Sequence, residues 1–137
     1  MELNPIGVAA ALSTFVGVWL GHVAVRKVES VSPTIWIPTT IFAAVGVALE
    51  GLSLTTPSPS LSTSFGILGI TFLWDAIEFT RQQKRVKNGH APANPNNPRH
   101  VQLLRAYSSV TTLDLLKREP IGKLVSYHEA IDLIAEH

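Results

Sequence analysis

Three stretches of this chain carry no Asp, Glu, Lys or Arg: residues 3–25, 30–49 and 51–74, of 23, 20 and 24 residues. An α-helix rises about 1.5 Å per residue, so about 20 apolar residues cross the ~30 Å of hydrocarbon in a bilayer. Each stretch is therefore long enough to span, and three membrane helices are expected over about Ile6–Val25, Ile35–Leu54 and Leu61–Phe79. Three helices buried in one soluble core would need outer helices with a polar face, and these segments have none.

The charges missing from these stretches are concentrated elsewhere. Of the 21 charged side chains only seven (Glu2, Arg26, Lys27, Glu29, Glu50, Asp75 and Glu78) precede residue 81, and the other fourteen crowd into residues 81–137. A net charge of +1 and 46% apolar residues exclude a strongly basic nucleic-acid binder and a charge-rich disordered chain. Cysteine is absent, which removes disulfides, thiolate metal sites and cysteine nucleophiles. Met1–Asn4 bears an acid and no base, the wrong sign for the leading region of a secretion signal, so the first span reads as a retained helix.

Orientation follows from the positive charges. With the amino terminus outside, Arg26, Lys27 and the nine later Lys and Arg all face the cytoplasm, with Arg81, Lys84, Arg85 and Lys87 counting most. The loop Thr55–Ser60, TTPSPS, is short and uncharged, so spans two and three form an antiparallel hairpin. The basic run Arg81–Lys87 reads as a topogenic extension of the third helix.

Small residues recur every fourth position in the first span as Ala9, Ser13, Gly17 and Gly21. In lipid, close backbone approach along such a groove is a main source of helix association. Two partners stay open for this face: the same chain (Ala44 and Ala48, or Ser62 and Gly66) or another subunit. At the cytoplasmic end His22, Asp75 and Glu78 fall within about one turn of the boundary, near the level of Trp19, Trp36 and Trp74. The tryptophans read as an interfacial belt. Asp75 and Glu78 share a helix face that continues into Arg81 and Gln82, where an intrahelical contact is the first expectation. A proton relay lacks polar steps toward Glu50 on the other side.

The stretch Ser64–Arg99, SFGILGITFLWDAIEFTRQQKRVKNGHAPANPNNPR, resembles the closing signature of the domain of unknown function 4491 family of small prokaryotic membrane proteins. Its pattern is met by Trp74, Glu78, Gln82 or Gln83, Arg85, Val86, Gly89, Asn94 and Pro95, and earlier by His22, Glu29 and Trp36. The resemblance covers about residues 3–99. It departs at Val23, where the family has Pro, at Asp75, where it has a small polar residue, and at His90, where it has an aromatic. The resemblance supports the three-span topology and, through its matching positions, the cytoplasmic-side cluster, which with the residues read above comprises Trp19, His22, Glu29, Trp36, Trp74, Asp75, Glu78 and Arg85, and it implies no reaction.

Beyond the spans, residues 88–99 hold Pro92, Pro95, Pro98 and several Asn, which suggests an extended linker. Residues 100–137 are expected to form a cytoplasmic tail of two short helices, Val101–Arg118 and Tyr127–Glu136. Ser126 and Glu129 make a capping box for the last helix, and Tyr127, Ala130, Ile131 and Ile134 fall on one face. Such short helices cannot build a core of their own. With Glu129, Asp132 and Glu136 and no base, the last helix suits a protein surface better than anionic headgroups.

The whole reads as all-α: a membrane unit over 1–87, a linker over 88–99 and a helical tail over 100–137. No phosphate loop, paired metal-spaced histidines or nucleotide fingerprint appears, and Ser126, Tyr127 and His128 face different ways on a helix. No enzyme activity, cofactor, metal, nucleic acid or small-molecule substrate is expected. The expected function is a small non-catalytic subunit that binds and stabilises a larger membrane complex, in contact with membrane lipid and with its tail docked on a partner. The alternative is a homo-oligomeric channel or transporter gated by His22, Asp75 and Glu78.

Overall fold

The fold is taken from a computed structural model and is described for residues 3–114. It is all-helical in its regular structure: α1 (Pro5–Val31), α2 (Trp36–Thr55), α3 (Pro59–Lys87) and α4 (Pro98–Ala106). The first three helices are each long and apolar enough to cross a membrane. At 27 and 29 residues, α1 and α3 run about 40 Å, past the hydrocarbon limit at which the sequence reading stopped them. Charge ends a span but does not end a helix. α1 stops only at Ser32, whose extended backbone (φ −72°, ψ 127°) is the conformation that the following Pro33 requires.

Asn-Pro pairs start two of the helices. Asn4 Oδ1 accepts hydrogen bonds from the amides of Ile6 (3.0 Å) and Gly7 (3.4 Å), and Pro5 occupies the first turn, where its missing N–H costs nothing. Asn97 and Pro98 repeat the device at α4, with Asn97 Oδ1 accepting from the Arg99 amide at 3.0 Å.

α3 lies between α1 and α2 and makes the extensive helix contacts of the molecule. It runs parallel to α1, since Gly17 lies beside Leu68 and Thr71 and Gly21 beside Asp75 four residues on. It runs antiparallel to α2, where the Ser53 and Ser62 hydroxyls each donate to the other residue's carbonyl, at 2.8 and 2.7 Å. The buried positions of α1 are Ser13, Gly17, Gly21, Val25 and Glu29, a step of four repeated without a break. That stripe is the α1–α3 seam. The small-residue face therefore packs within the chain, one to two turns farther along α3 than Ser62 and Gly66. On the other flank Phe42 meets Phe72 and Phe79 with ring centroids 5.2 and 5.0 Å apart, and Phe79 is fully buried. The outward faces are apolar: Phe15, Trp19, Ile41, Val47, Ile70 and Ile77 are all more than half exposed.

Residues 88–114 differ from the expected linker and helix. The chain turns at Gly89, whose φ of +74° suits glycine and whose absent Cβ makes room for the Ser109 carbonyl oxygen. It then folds back as an arm. Val86, Ala91, Ala93 and Val110 form a small core with Leu103 and Leu104 over it. The helix expected over Val101–Arg118 is instead α4, which starts three residues earlier and ends at Ala106, with Tyr107–Asp114 non-helical. Proline produced that difference: Pro98 was read as a helix breaker, but behind an Asn cap it is a helix starter. The expected last helix, with its capping box and its docking face of Tyr127, Ala130, Ile131 and Ile134, lies outside the described residues, as does the part of the tail beyond Asp114.

Candidate functional site

A helix end leaves its last carbonyls without intrahelical partners, and a buried end must find them elsewhere. At the end of α1 the arm supplies them. Arg99 Nη2 donates to the Glu29 carbonyl at 2.7 Å, and the side-chain amides of Asn94 and Asn97 both donate to the Ser30 carbonyl at 3.0 Å. Asn97 Nδ2 also reaches the Ser32 carbonyl at 2.9 Å. Residues about 65 positions later in the chain thus cap the first helix. The donors must be side chains that reach past their own backbone, which is why Asn and Arg crowd into NPNNPR.

Inside this clasp lies Glu29, 1% exposed. Its Oε1 accepts from Arg99 Nη2 at 2.9 Å and lies 3.1 Å from Nε2 of His100, which is fully buried. The imidazole is oriented by its other nitrogen: Nδ1 accepts the backbone N–H of Asn94 at 2.8 Å. A nitrogen that accepts carries no proton, so the hydrogen-bond pattern assigns the Nε2–H tautomer, which donates to Glu29. One carboxylate oxygen therefore holds a guanidinium and an imidazole, and both come from the arm. Chemically this is a closed polar knot that fixes geometry.

The second polar group lies on the α1–α3 seam, one to two turns deeper. Asp75 is buried with its carboxylate against Gly21, where any Cβ would collide with it. Glu78 accepts from Arg81 at 2.7 Å and lies 3.6 Å from Arg85, whose Nη1 also donates to Gln82 Oε1 at 3.3 Å. His22, Asp75, Glu78 and Arg85 all border one small cavity of about 30 Å³, space on the scale of a single water. His22 is exposed and makes no bond to Glu78. Glu29 is not part of this group: the arm takes it. Trp19, Trp36 and Trp74 point outward, at 61%, 67% and 53% exposure, and Arg81 stacks over the Trp74 ring at 4.6 Å. Glu50 of α2, expected on the far side, instead fills the space left by Gly69 near the middle of α3, six residues or about 9 Å of helix from Asp75.

Sequence reasoning singled out Glu29 and Asn94 through the family resemblance, but not Arg99 and His100, which hold the Glu29 carboxylate, nor Asn97, which bonds the Ser30 and Ser32 carbonyls. The available signal was an acid near the end of a helix and, far along the chain, a cluster of amide side chains in NPNNPR. Among the described residues no group of three His, Cys, Asp or Glu is placed to hold a metal ion.

Comparison with known proteins gives one match. The model of a family described as Domain of unknown function (DUF4491) covers residues 4–97, which takes in α1, α2, α3 and the arm through Asn97. No curated protein and no solved structure matches the chain.

Proposed function

The chain belongs to the domain of unknown function (DUF4491) family, and from its geometry we propose that it is a small non-catalytic membrane subunit that binds and stabilises a larger membrane complex. In this reading α1, α2 and α3 cross the membrane with the amino terminus outside, and the arm lies in the cytoplasm with all the Lys and Arg of residues 3–114. The observation that carries it is the pairing of a buried, internally bonded polar knot with uncovered apolar surface. Glu29, His100 and two of the three Arg99 nitrogens are bonded to one another and to backbone, while Arg99 Nη1 is buried without a partner among the described residues. Large apolar side chains such as Phe15, Ile41 and Val47 stand outside a three-helix layer whose interior is confined to its two narrow helix seams. A layer of this kind offers two oily flanks to neighbours and a rigid cap at one end.

The reading is tested by native purification in mild detergent, followed by mass spectrometry of what accompanies the chain. Deletion of residues 115–137 leaves the clasp whole and removes the expected docking face. The expected result is a larger particle with other membrane proteins, weakened by the deletion. A monodisperse monomer with the full chain refutes it. The second reading, a self-assembled channel or transporter, is favoured by Asp75, which is buried beside a water-sized cavity bordered by His22 and Glu78. It requires solute flux in liposomes that changes with Glu78→Gln.

A further inference from the structure

A cleft of about 650 Å³ opens between the last turns of α1 and the arm, bordered by Arg26 and Lys27 on one side and by Pro92 and Asp114 on the other. Next to it on α1 is a groove of about 470 Å³ with an apolar lining that includes Phe15, Val18 and Trp19. The two are continuous, because His22 and Val23 border both. From Thr14 to Val23 the groove follows about 14 Å of helix, close to the ~15 Å depth of one leaflet's hydrocarbon. The basic cleft begins where that depth ends.

We propose that this continuous surface is a binding site for a phospholipid with an anionic headgroup, the acyl chain lying along Phe15, Val18 and Trp19 and the phosphate held by Arg26 and Lys27. The proposal rests on the membrane-spanning reading above and adds a ligand to it. Charge complementarity supports the anionic head. Lys27 has no carboxylate within ion-pair distance among the described residues, and Arg26 has only the 3.9 Å contact with Asp114, half-exposed on its own side. Glu29 borders the cleft, but its carboxylate is committed to Arg99 and His100. A soluble phosphate would use the head of the site and leave the groove unfilled, so the lipid fits the whole surface.

Trp19, in the groove wall, is a built-in reporter. The full chain carrying Trp36→Phe and Trp74→Phe is reconstituted into phosphatidylcholine vesicles, and Trp19 quenching by brominated lipid is measured. In fully brominated phosphatidylcholine, strong quenching is expected, and its absence overturns the membrane reading together with the proposal. With a small mole fraction of brominated phosphatidylglycerol, quenching is expected to correspond to about fivefold enrichment beside Trp19 over the same fraction of brominated phosphatidylcholine, given a net facing charge of about one after Asp114 is counted. The enrichment is expected to disappear in Arg26→Gln/Lys27→Gln and to persist in Arg81→Gln/Lys84→Gln, a control that removes equal charge from α3. Lys27→Gln alone, which disturbs no ion pair among the described residues, is expected to reduce it. Equal quenching by the two lipids, or enrichment untouched by Arg26→Gln/Lys27→Gln, overturns the lipid site and leaves the membrane reading standing.

Discussion

Replacing Glu29 by Ala is expected to release the arm while leaving the three long helices in place. The substitution removes the acceptor for two buried donors at once. Arg99 is 12% exposed on its side chain and His100 is fully buried, so water cannot take over either bond without opening the clasp. Removing one partner of a buried ion pair costs about 3–5 kcal/mol, because the surviving charge stays desolvated. Since each 1.4 kcal/mol is tenfold, the arm should open about a hundredfold to several thousandfold more often. Hydrogen exchange with mass spectrometry in detergent reads this directly. The amides of Ala93 and Asn94, bonded to the Thr111 carbonyl and to His100 Nδ1 at 2.8 Å each, are the reporters. Their exchange should accelerate by that factor, whereas amides within α3 around Gly69 should not change. Glu29→Gln keeps an acceptor oxygen and loses only the charge-assisted part, about 1–2 kcal/mol. Glu29→Ala and Arg99→Ala combined should cost much less than the sum of the two. Unchanged exchange at Ala93 and Asn94 in Glu29→Ala would refute the reasoning, since it would mean that the knot holds nothing.

Other substitutions probe the remaining joints. Asn97→Ala loses the α4 cap and the two bonds to α1 carbonyls and should destabilise the arm by about 2–4 kcal/mol, seen as faster proteolysis within residues 88–114. Gly89→Ala meets both a left-handed backbone and the Ser109 carbonyl, so a loss of at least ~1–2 kcal/mol is expected in the same assay. Gly21→Val drives a side chain into the Asp75 carboxylate and should lower the detergent melting temperature by overpacking the α1–α3 seam at a cost of about 1–3 kcal/mol. Gly51→Ala, with nothing within 4 Å, should leave it unchanged or raise it.

Much of this architecture was legible in the sequence because lipid is a severe solvent. Charge-free stretches of 20 to 24 residues admit few folds, and the Ala9, Ser13, Gly17, Gly21 spacing marked a packing face before any partner for it was known. The choice of α3 as that partner was not legible, since Ala44 and Ala48 of α2 look as suitable as Ser62 and Gly66 of α3, and the Leu68 and Thr71 that α3 presents carry no distinctive pattern. The arm was misread for a local reason: in NPNNPRH each proline and asparagine disfavours helix singly, and only the pairing of Asn97 with Pro98 turns them into a start signal. Glu29 was identified through family resemblance, but its partners Arg99 and His100 stand 70 and 71 residues away in sequence. No period or spacing links an acid to an arginine across two membrane-length helices. The fold links them, because α2 and α3 carry the chain out and back to the end of α1.

The absence of native cysteine makes the central claim directly measurable. Single cysteines at Ser58, in the turn before α3, and at Ser108, in the arm, are both exposed and lie beyond opposite ends of α3. A membrane-impermeant maleimide applied to intact cells should label Ser58→Cys at once and Ser108→Cys only after permeabilisation. Labelling of both positions from the same side, or recovery of the chain in the soluble fraction, would contradict a three-helix membrane unit with its clasp on the inner face.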